Sequence, residues 1–115
     1  MYPIHMLDFE ISASEAKDLL AACREKRCML LDVREPWEHE EASIVGSVIM
    51  PMGDIPSRAH HELDPESRII VICHHGVRSM SVTVWLREQG FDLAQSLRGG
   101  IDAWSKEVDG TIPRY

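Results

Sequence analysis

Four successive β-branched residues, Ile69-Ile70-Val71-Ile72, run directly into Cys73-His74-His75-Gly76-Val77-Arg78-Ser79. An apolar run without polar alternation is expected for a strand covered on both faces, as in a parallel sheet. The following stretch, Met80 to Gln89, is long enough for about three helical turns. A strand, a tight loop and a helix start make a site for an anion, because the first amides of a helix lack intrahelical partners and point outward. Placing the thiol of Cys73 at the mouth of such a site points to chemistry.

The rest of the chain fits around that unit. Phe9-Glu10-Ile11 reads as a brief strand, and Ser12-Ala13-Ser14-Glu15 has the Ser-x-x-Glu spacing of a capping box. The helix it opens carries Ala16, Leu19, Leu20 and Cys23 on one face, with Lys17, Asp18, Arg24 and Glu25 largely off it. Cys23 therefore reads as core packing, and Cys28 as a buried residue at a strand start in preference to a resolving thiol. Met29-Leu30-Leu31-Asp32-Val33 is a second buried strand, followed by Arg34-Glu35 and a helix with Pro36 in its first turn. Val48-Ile49-Met50 is a third strand, stopped by Pro51. Asp54 is a candidate N-cap for a helix with Pro56 in its first turn. Gly90 closes the helix that follows Ser79. Phe91 to Leu97 contains another strand, and Ile101 to Val108 forms a last helix before an irregular tail. Strands alternating with helices predict an α/β domain over residues 1–115, with a mainly parallel central sheet flanked by helices.

Composition removes several classes of function. The chain has 115 residues and a formal charge of −7, which disfavours a nucleic-acid backbone as partner. No apolar run approaches the roughly 20 residues of a membrane span. Residues 1–8 lack the basic and apolar regions of a signal peptide. Three cysteines at irregular spacing do not read as a disulfide framework, so a reducing, cytoplasmic location is expected. Trp37, Trp85 and Trp104 read as packing residues, and His60-His61 as part of a solvated helix face.

A nucleophilic cysteine must be a thiolate, and an unperturbed pKa of about 8.5 leaves only a few per cent ionised at neutral pH. The loop offers three means of stabilising the anion. They are the positive end of the following helix, the backbone amides from His74 to Ser79, and the guanidinium of Arg78. Gly76 supplies the backbone freedom of a tight loop. Arg78 has two equal readings, as an anion ligand or loop organiser, or as one half of an ion pair with Asp32 or Glu38. His74 and His75 shape the loop mouth. With Cys73 they make a poor tetrahedral metal site, because adjacent ligands cannot surround an ion.

The loop Cys73-His74-His75-Gly76-Val77-Arg78-Ser79 resembles the active-site loop of single-domain rhodaneses, the thiosulfate and persulfide sulfurtransferases. Leu31-Asp32-Val33-Arg34-Glu35-Pro36-Trp37-Glu38 resembles that family's Asp-Val-Arg-x-x-x-Glu segment. Gly46-Ser47-Val48-Ile49-Met50-Pro51 resembles its Gly-Ala-x-x-x-Pro segment, and Leu97-Arg98-Gly99-Gly100-Ile101-Asp102-Ala103-Trp104 its Gly-Gly-x-x-x-Trp motif. Where the family often has His-Ile, this chain has Ser43-Ile44. The resemblance implies a rhodanese-like three-layer fold, with Cys73 as the catalytic residue. His74, His75, Gly76, Val77, Arg78 and Ser79 would form the substrate cradle, supported from behind by Asp32 and Arg34. It implies a small anionic donor, thiosulfate or a persulfide, and an acceptor such as cyanide, a thiol or a protein cysteine. No metal and no organic cofactor is implied, since the cysteine itself carries the sulfur.

Two other functions compete. A phosphatase or arsenate reductase also uses a loop cysteine and arginine, but with five residues between them; here there are four, His74 to Val77. A non-enzymatic binding module or sulfur relay would share the fold, although an inactive module would be expected to lack the loop cysteine.

Overall fold

The structure is a computed structural model and describes residues 7–23 and 27–115. The expectations for residues 1–6 and for Arg24 and Glu25 lie outside the described residues.

Five strands form one sheet: β1 (Glu10–Ile11), β2 (Cys28–Asp32), β3 (Val48–Ile49), β4 (Arg68–Ile72) and β5 (Ala94–Leu97). Their order is β1-β5-β4-β2-β3, and every pairing is parallel. The α/β expectation holds. The register sets Cys28 opposite Arg68 and Asp32 opposite Ile72. All carboxyl ends therefore lie at one edge, and Cys73 follows directly from the central strand.

Five helices cover the sheet: α1 (Ala13–Ala22), α2 (Pro36–Glu41), α3 (Ile55–Glu62), α4 (Val77–Glu88) and α5 (Gly100–Glu107). Alternation along β4 divides the core in two. Ile69 and Val71 pack with Leu31, Ile55, Ala59, Val82 and Leu86 on the α3/α4 face. Ile70 and Ile72 pack with Ile11, Ala13, Ala16, Ile101 and Trp104 on the α1/α5 face. Because successive side chains point to opposite faces, a strand between two helical layers must be apolar at every position.

The helix starts follow their local chemistry. Ser12 accepts a bond from the Glu15 amide at 3.1 Å and Glu15 accepts one from the Ser12 amide at 3.2 Å, the reciprocal pair expected from the spacing. Asp54 departs from expectation in part. It does occupy the N-cap position of α3, but as the last residue of a 3₁₀ turn (Met52–Asp54) it has helical backbone angles and its side chain makes no capping bond. Trp37 also departs, being 60% exposed rather than packed, because the buried side of the short helix α2 is given to Glu38.

The cysteine expectation is corrected. Cys23, the C-cap of α1, and Cys28, the first residue of β2, form a disulfide with Cα atoms 6.1 Å apart. The chain reverses between a helix end and a strand start only five positions apart, which brings both side chains into bonding range. Both are half-buried, not core. The cysteine argument for a reducing compartment therefore falls away. Among the described residues, no helix is long and apolar enough to cross a membrane.

Candidate active site

Cys73 leaves the end of β4 and is 1% exposed. It is the one unbonded thiol of the three cysteines. Its Sγ accepts hydrogen bonds from the Gly76 amide at 3.0 Å and the Ser79 amide at 3.3 Å. The Ser79 hydroxyl lies 3.3 Å from Sγ and 2.7 Å from the Ser96 hydroxyl on β5. The loop thus curls around sulfur before α4 begins. Gly76 makes the curl possible with φ of +107°, a conformation open to glycine at little cost. The amides of Val77 and Arg78, the first two of α4, have no hydrogen-bond partner among the described residues and keep their donor capacity.

The loop is held from behind by α5. The Ile101 amide donates to the Cys73 carbonyl at 2.9 Å, and the Asp102 amide to the His74 carbonyl at 3.2 Å. A trans peptide sets its N–H opposite its C=O, so anchoring these carbonyls turns the His74 and His75 amides away from α5. Gly100 permits the approach. A Cβ there would stand 2.3 Å from the His74 carbonyl oxygen and 2.4 Å from that of Cys73. The Gly99-Gly100 pair is therefore a docking surface for the loop backbone.

Arg78 is turned toward α2. Its Nη1 donates to Glu38 Oε1 at 2.6 Å and its Nη2 to Oε2 at 2.9 Å. Glu38 is buried, and its Oε2 also accepts from the Tyr115 hydroxyl at 2.7 Å. The Arg78 bonds hold the Glu38 carboxyl down at about 2, against burial and with help from Tyr115. Arg78 is correspondingly held above the usual arginine range by the same bonds.

Behind this pair stands a second ion pair, the expected supports Asp32 and Arg34, both fully buried. Arg34 donates through Nε and Nη2 to the two Asp32 oxygens at 2.9 and 2.6 Å. Its remaining bonds go to the carbonyls of Glu38 and Ala42 and, at 2.8 Å, to the Tyr115 hydroxyl. His39 Nδ1 lies 2.8 Å from Asp32. Burial works against the Asp32 charge, yet the bonds to Arg34 and His39 leave its carboxyl below the usual range. Asp32 and Arg34 do not touch Sγ. They fix α2, and through it Glu38.

His74 and His75 form the other side of the mouth. Their rings stack at 3.9 Å, and Tyr115 stacks on His74 at 4.0 Å with 9° between planes. Burial, with the His75 charge adding to it, keeps His74 below the usual histidine range. Asp102 of α5 completes a potential ligand group with the two histidines, which sequence spacing alone did not reveal. The group fits a metal badly: stacked rings direct their lone pairs side by side, and Asp102 already pairs with Arg114 at 2.9 Å and Lys106 at 3.3 Å. Val77 is exposed at the rim.

Glu38, Ser96, Tyr115 and the α5 amides thus join the expected loop residues. Glu38 was visible as a possible partner of Arg78. Ser96 and Tyr115 carry no sequence signal, since a serine in a strand and a tyrosine in a tail are unremarkable by themselves.

Comparison with known proteins decides the family. The rhodanese-like domain model matches residues 12–107. The chain belongs to the rhodanese-like domain family. The chain is 39% identical over 99 residues to the putative sulfurtransferase YtwF of Bacillus subtilis (strain 168), covering 86% of this chain and 92% of that protein. It is 43% identical over 89 residues to the rhodanese-like/PpiC domain-containing protein 12, chloroplastic, of Arabidopsis thaliana; the match covers 75% of this chain but only 30% of that protein. A rhodanese-like domain protein from Staphylococcus aureus superposes with a TM-score of 0.77 at 26% identity, covering 94% of this chain and 99% of that one. The rhodanese-like model match ends at residue 107, before the tail that carries Tyr115.

Proposed function

We propose that this chain is a sulfurtransferase that moves a sulfane sulfur from thiosulfate or a persulfide donor to a thiophilic acceptor through a persulfide on Cys73. The observation that carries this reading is the pair of amides, from Gly76 and Ser79, converging on the one unbonded thiol. Amides fixed in place stabilise a sulfur anion without reorganising, which is how preorganised donors lower a barrier. The Cys73 thiolate attacks the outer sulfur of thiosulfate, an S–S bond forms to that sulfur, and sulfite leaves with the electron pair of the broken bond. A second nucleophile, such as cyanide, a small thiol or a protein cysteine, then takes the terminal sulfur and returns the thiolate. The cysteine is the carrier, so two half-reactions and ping-pong kinetics follow.

The phosphoryl alternative finds less support. Four residues separate Cys73 from Arg78, and the Arg78 fork is occupied by Glu38 rather than directed into the loop.

The test is intact-mass spectrometry after thiosulfate treatment. Wild type should gain the mass of one sulfur atom and lose it again on adding cyanide. Cys73→Ser should gain nothing. An adduct that survives in Cys73→Ser, or a wild type that never acquires one, would sink the proposal. Retention of the adduct until a protein thiol is added would mark the chain as a relay.

A further inference from the structure

Tyr115 is the most firmly held aromatic side chain at the mouth of the loop. Its hydroxyl donates to Glu38 Oε2 at 2.7 Å and accepts from Arg34 Nη1 at 2.8 Å, so two buried charged groups fix the oxygen. Its ring lies flat on His74, the residue next to Cys73, and meets Trp37 edge-on at 6.1 Å. The Arg34 guanidinium also lies 5.5 Å from the ring centroid. Swinging the ring out would strand one N–H of Arg34 in a buried setting and take from Glu38 Oε2 one of its two donors, leaving it Arg78 alone.

The ring is also held in one chemical state. Burial, helped by the Glu38 carboxylate and opposed by Arg34, pushes the Tyr115 phenol up to about 12, so it remains a donor to Glu38 at neutral pH. Its neighbour His74 is kept below the usual histidine range, which favours the neutral imidazole as a stacking partner. Trp37, Tyr115, His74 and His75 thus form a continuous row of rings along one side of the opening. The same loop continues through Gly76 and exposed Val77 into α4.

Cys73 is nearly inaccessible, so any donor must reach its sulfur through this opening. We propose that Tyr115 is a specificity-determining residue: by bracing His74 it narrows the mouth, admitting a donor as small as thiosulfate and disfavouring one with an aryl group on the sulfonyl sulfur. This rests on the sulfurtransferase reading above. The chemistry is the same for both donors. The Cys73 thiolate takes the sulfane sulfur, and the leaving group is sulfite from thiosulfate or benzenesulfinate from benzenethiosulfonate. The two leaving groups differ in charge as well as size, so the change in the donor ratio from one Tyr115 variant to the next isolates the wall from the sulfur step.

The experiment measures kcat/KM for thiosulfate and for benzenethiosulfonate, with cyanide as acceptor, in wild type, Tyr115→Phe, Tyr115→Ala and Tyr115→Trp. Phenylalanine keeps the ring and its stack, and should leave the ratio of the two donors within about twofold of wild type. Alanine should raise the ratio in favour of the aryl donor by about tenfold or more, mainly through a lower KM, the size of effect one pocket contact commands. Tryptophan, which enlarges the wall, should shift the ratio the other way and keeps the proposal testable if the alanine variant does not fold. An unchanged ratio in the alanine and tryptophan variants, with the Cys73 persulfide still forming from thiosulfate, overturns the role of Tyr115 alone. Failure of the persulfide to form from either donor in wild type overturns the sulfurtransferase reading beneath it.

Discussion

Arg78 and Glu38 meet as a fork on a fork, Nη1 to Oε1 at 2.6 Å and Nη2 to Oε2 at 2.9 Å. Arg78 belongs to the first turn of α4 and Glu38 to α2, so the pair joins the element carrying the loop to the helix that follows β2. The two bonds engage two of the five N–H groups of Arg78 and turn its fork toward α2. On the proposed sulfurtransferase reading, the backbone amides hold the negative charge and Arg78, paired with Glu38, fixes where those amides stand.

That division predicts parallel effects of the two partners. Arg78→Ala and Glu38→Gln should each lower kcat/KM for thiosulfate, by about tenfold, and the double variant should be little worse than either single one. In urea unfolding the coupling energy of the cycle should be about 1–2 kcal/mol, between the values for exposed and buried pairs, because Arg78 is partly solvated. If Arg78→Ala damages transfer while Glu38→Gln does not, Arg78 contacts the donor directly.

The same pair should leave a mark on acid stability. The Glu38 carboxyl is held at about 2 in the folded chain against an ordinary 4.5, so its contribution is fully present above pH 4.5. It should be lost progressively as pH falls from 4.5 toward 2, because the unfolded chain takes up the proton first. Glu38→Gln removes this dependence. The stability gap between wild type and Glu38→Gln, followed by denaturant unfolding, should therefore be constant from pH 7 to 5 and shrink below 4.5. A gap that stays constant down to pH 3 would show that Glu38 is not charged by this contact.

Gly100 offers a sharper test of how the loop is held. Alanine at this position places a methyl within 2.3–2.5 Å of the Cys73 and His74 backbone, at a φ of +62°. Gly46 also has positive φ, at +89°, but nothing stands within 4 Å of its would-be Cβ. Gly46→Ala should cost only the left-handed conformation, about 1 kcal/mol, and leave transfer intact. Gly100→Ala should cost about 3 kcal/mol or more and depress kcat/KM beyond what the loss of folded protein explains. Equal costs would mean that the contact with the loop is looser than 2.3 Å.

The contrast between these glycines shows what the sequence can and cannot reveal. The β4 run, the Ser12 capping box and the Cys73 loop were legible because each depends on residues close together in the chain, where periodicity and spacing carry the information. The two-sided burial of β4 followed from its unbroken apolar run. What was hidden depends on distant residues meeting: Ser96 behind Ser79, Asp102 beside His75, and Tyr115 on His74. Arg78 could be narrowed to a few partners, but the choice of Glu38 required the fold that brings α2 beside α4. Cys23 misled for a related reason. Helical spacing placed it on the apolar stripe, but it is the cap where the helix stops, and the pattern no longer governs its direction.

The Cys23–Cys28 bond provides the last prediction. Cys28 opens β2 and Cys73 follows the end of the neighbouring parallel strand, so the two sites lie at opposite ends of the strands, about 17 Å apart at the usual strand rise. The disulfide can brace the α1–β2 connection without contacting the reacting sulfur. Closing so short a loop restricts the unfolded chain modestly, and a Cys23→Ser/Cys28→Ser variant should lose about 2 kcal/mol of stability. Its kcat/KM for thiosulfate should stay within about twofold of wild type, since sites this far apart without shared partners act independently. Alkylation of the native protein should label Cys73 alone before reduction, and all three cysteines after reduction and unfolding. A large fall in transfer activity in the double serine variant, with folding intact, would instead connect the disulfide to the loop through β2 and the Asp32–Arg34 pair at its far end.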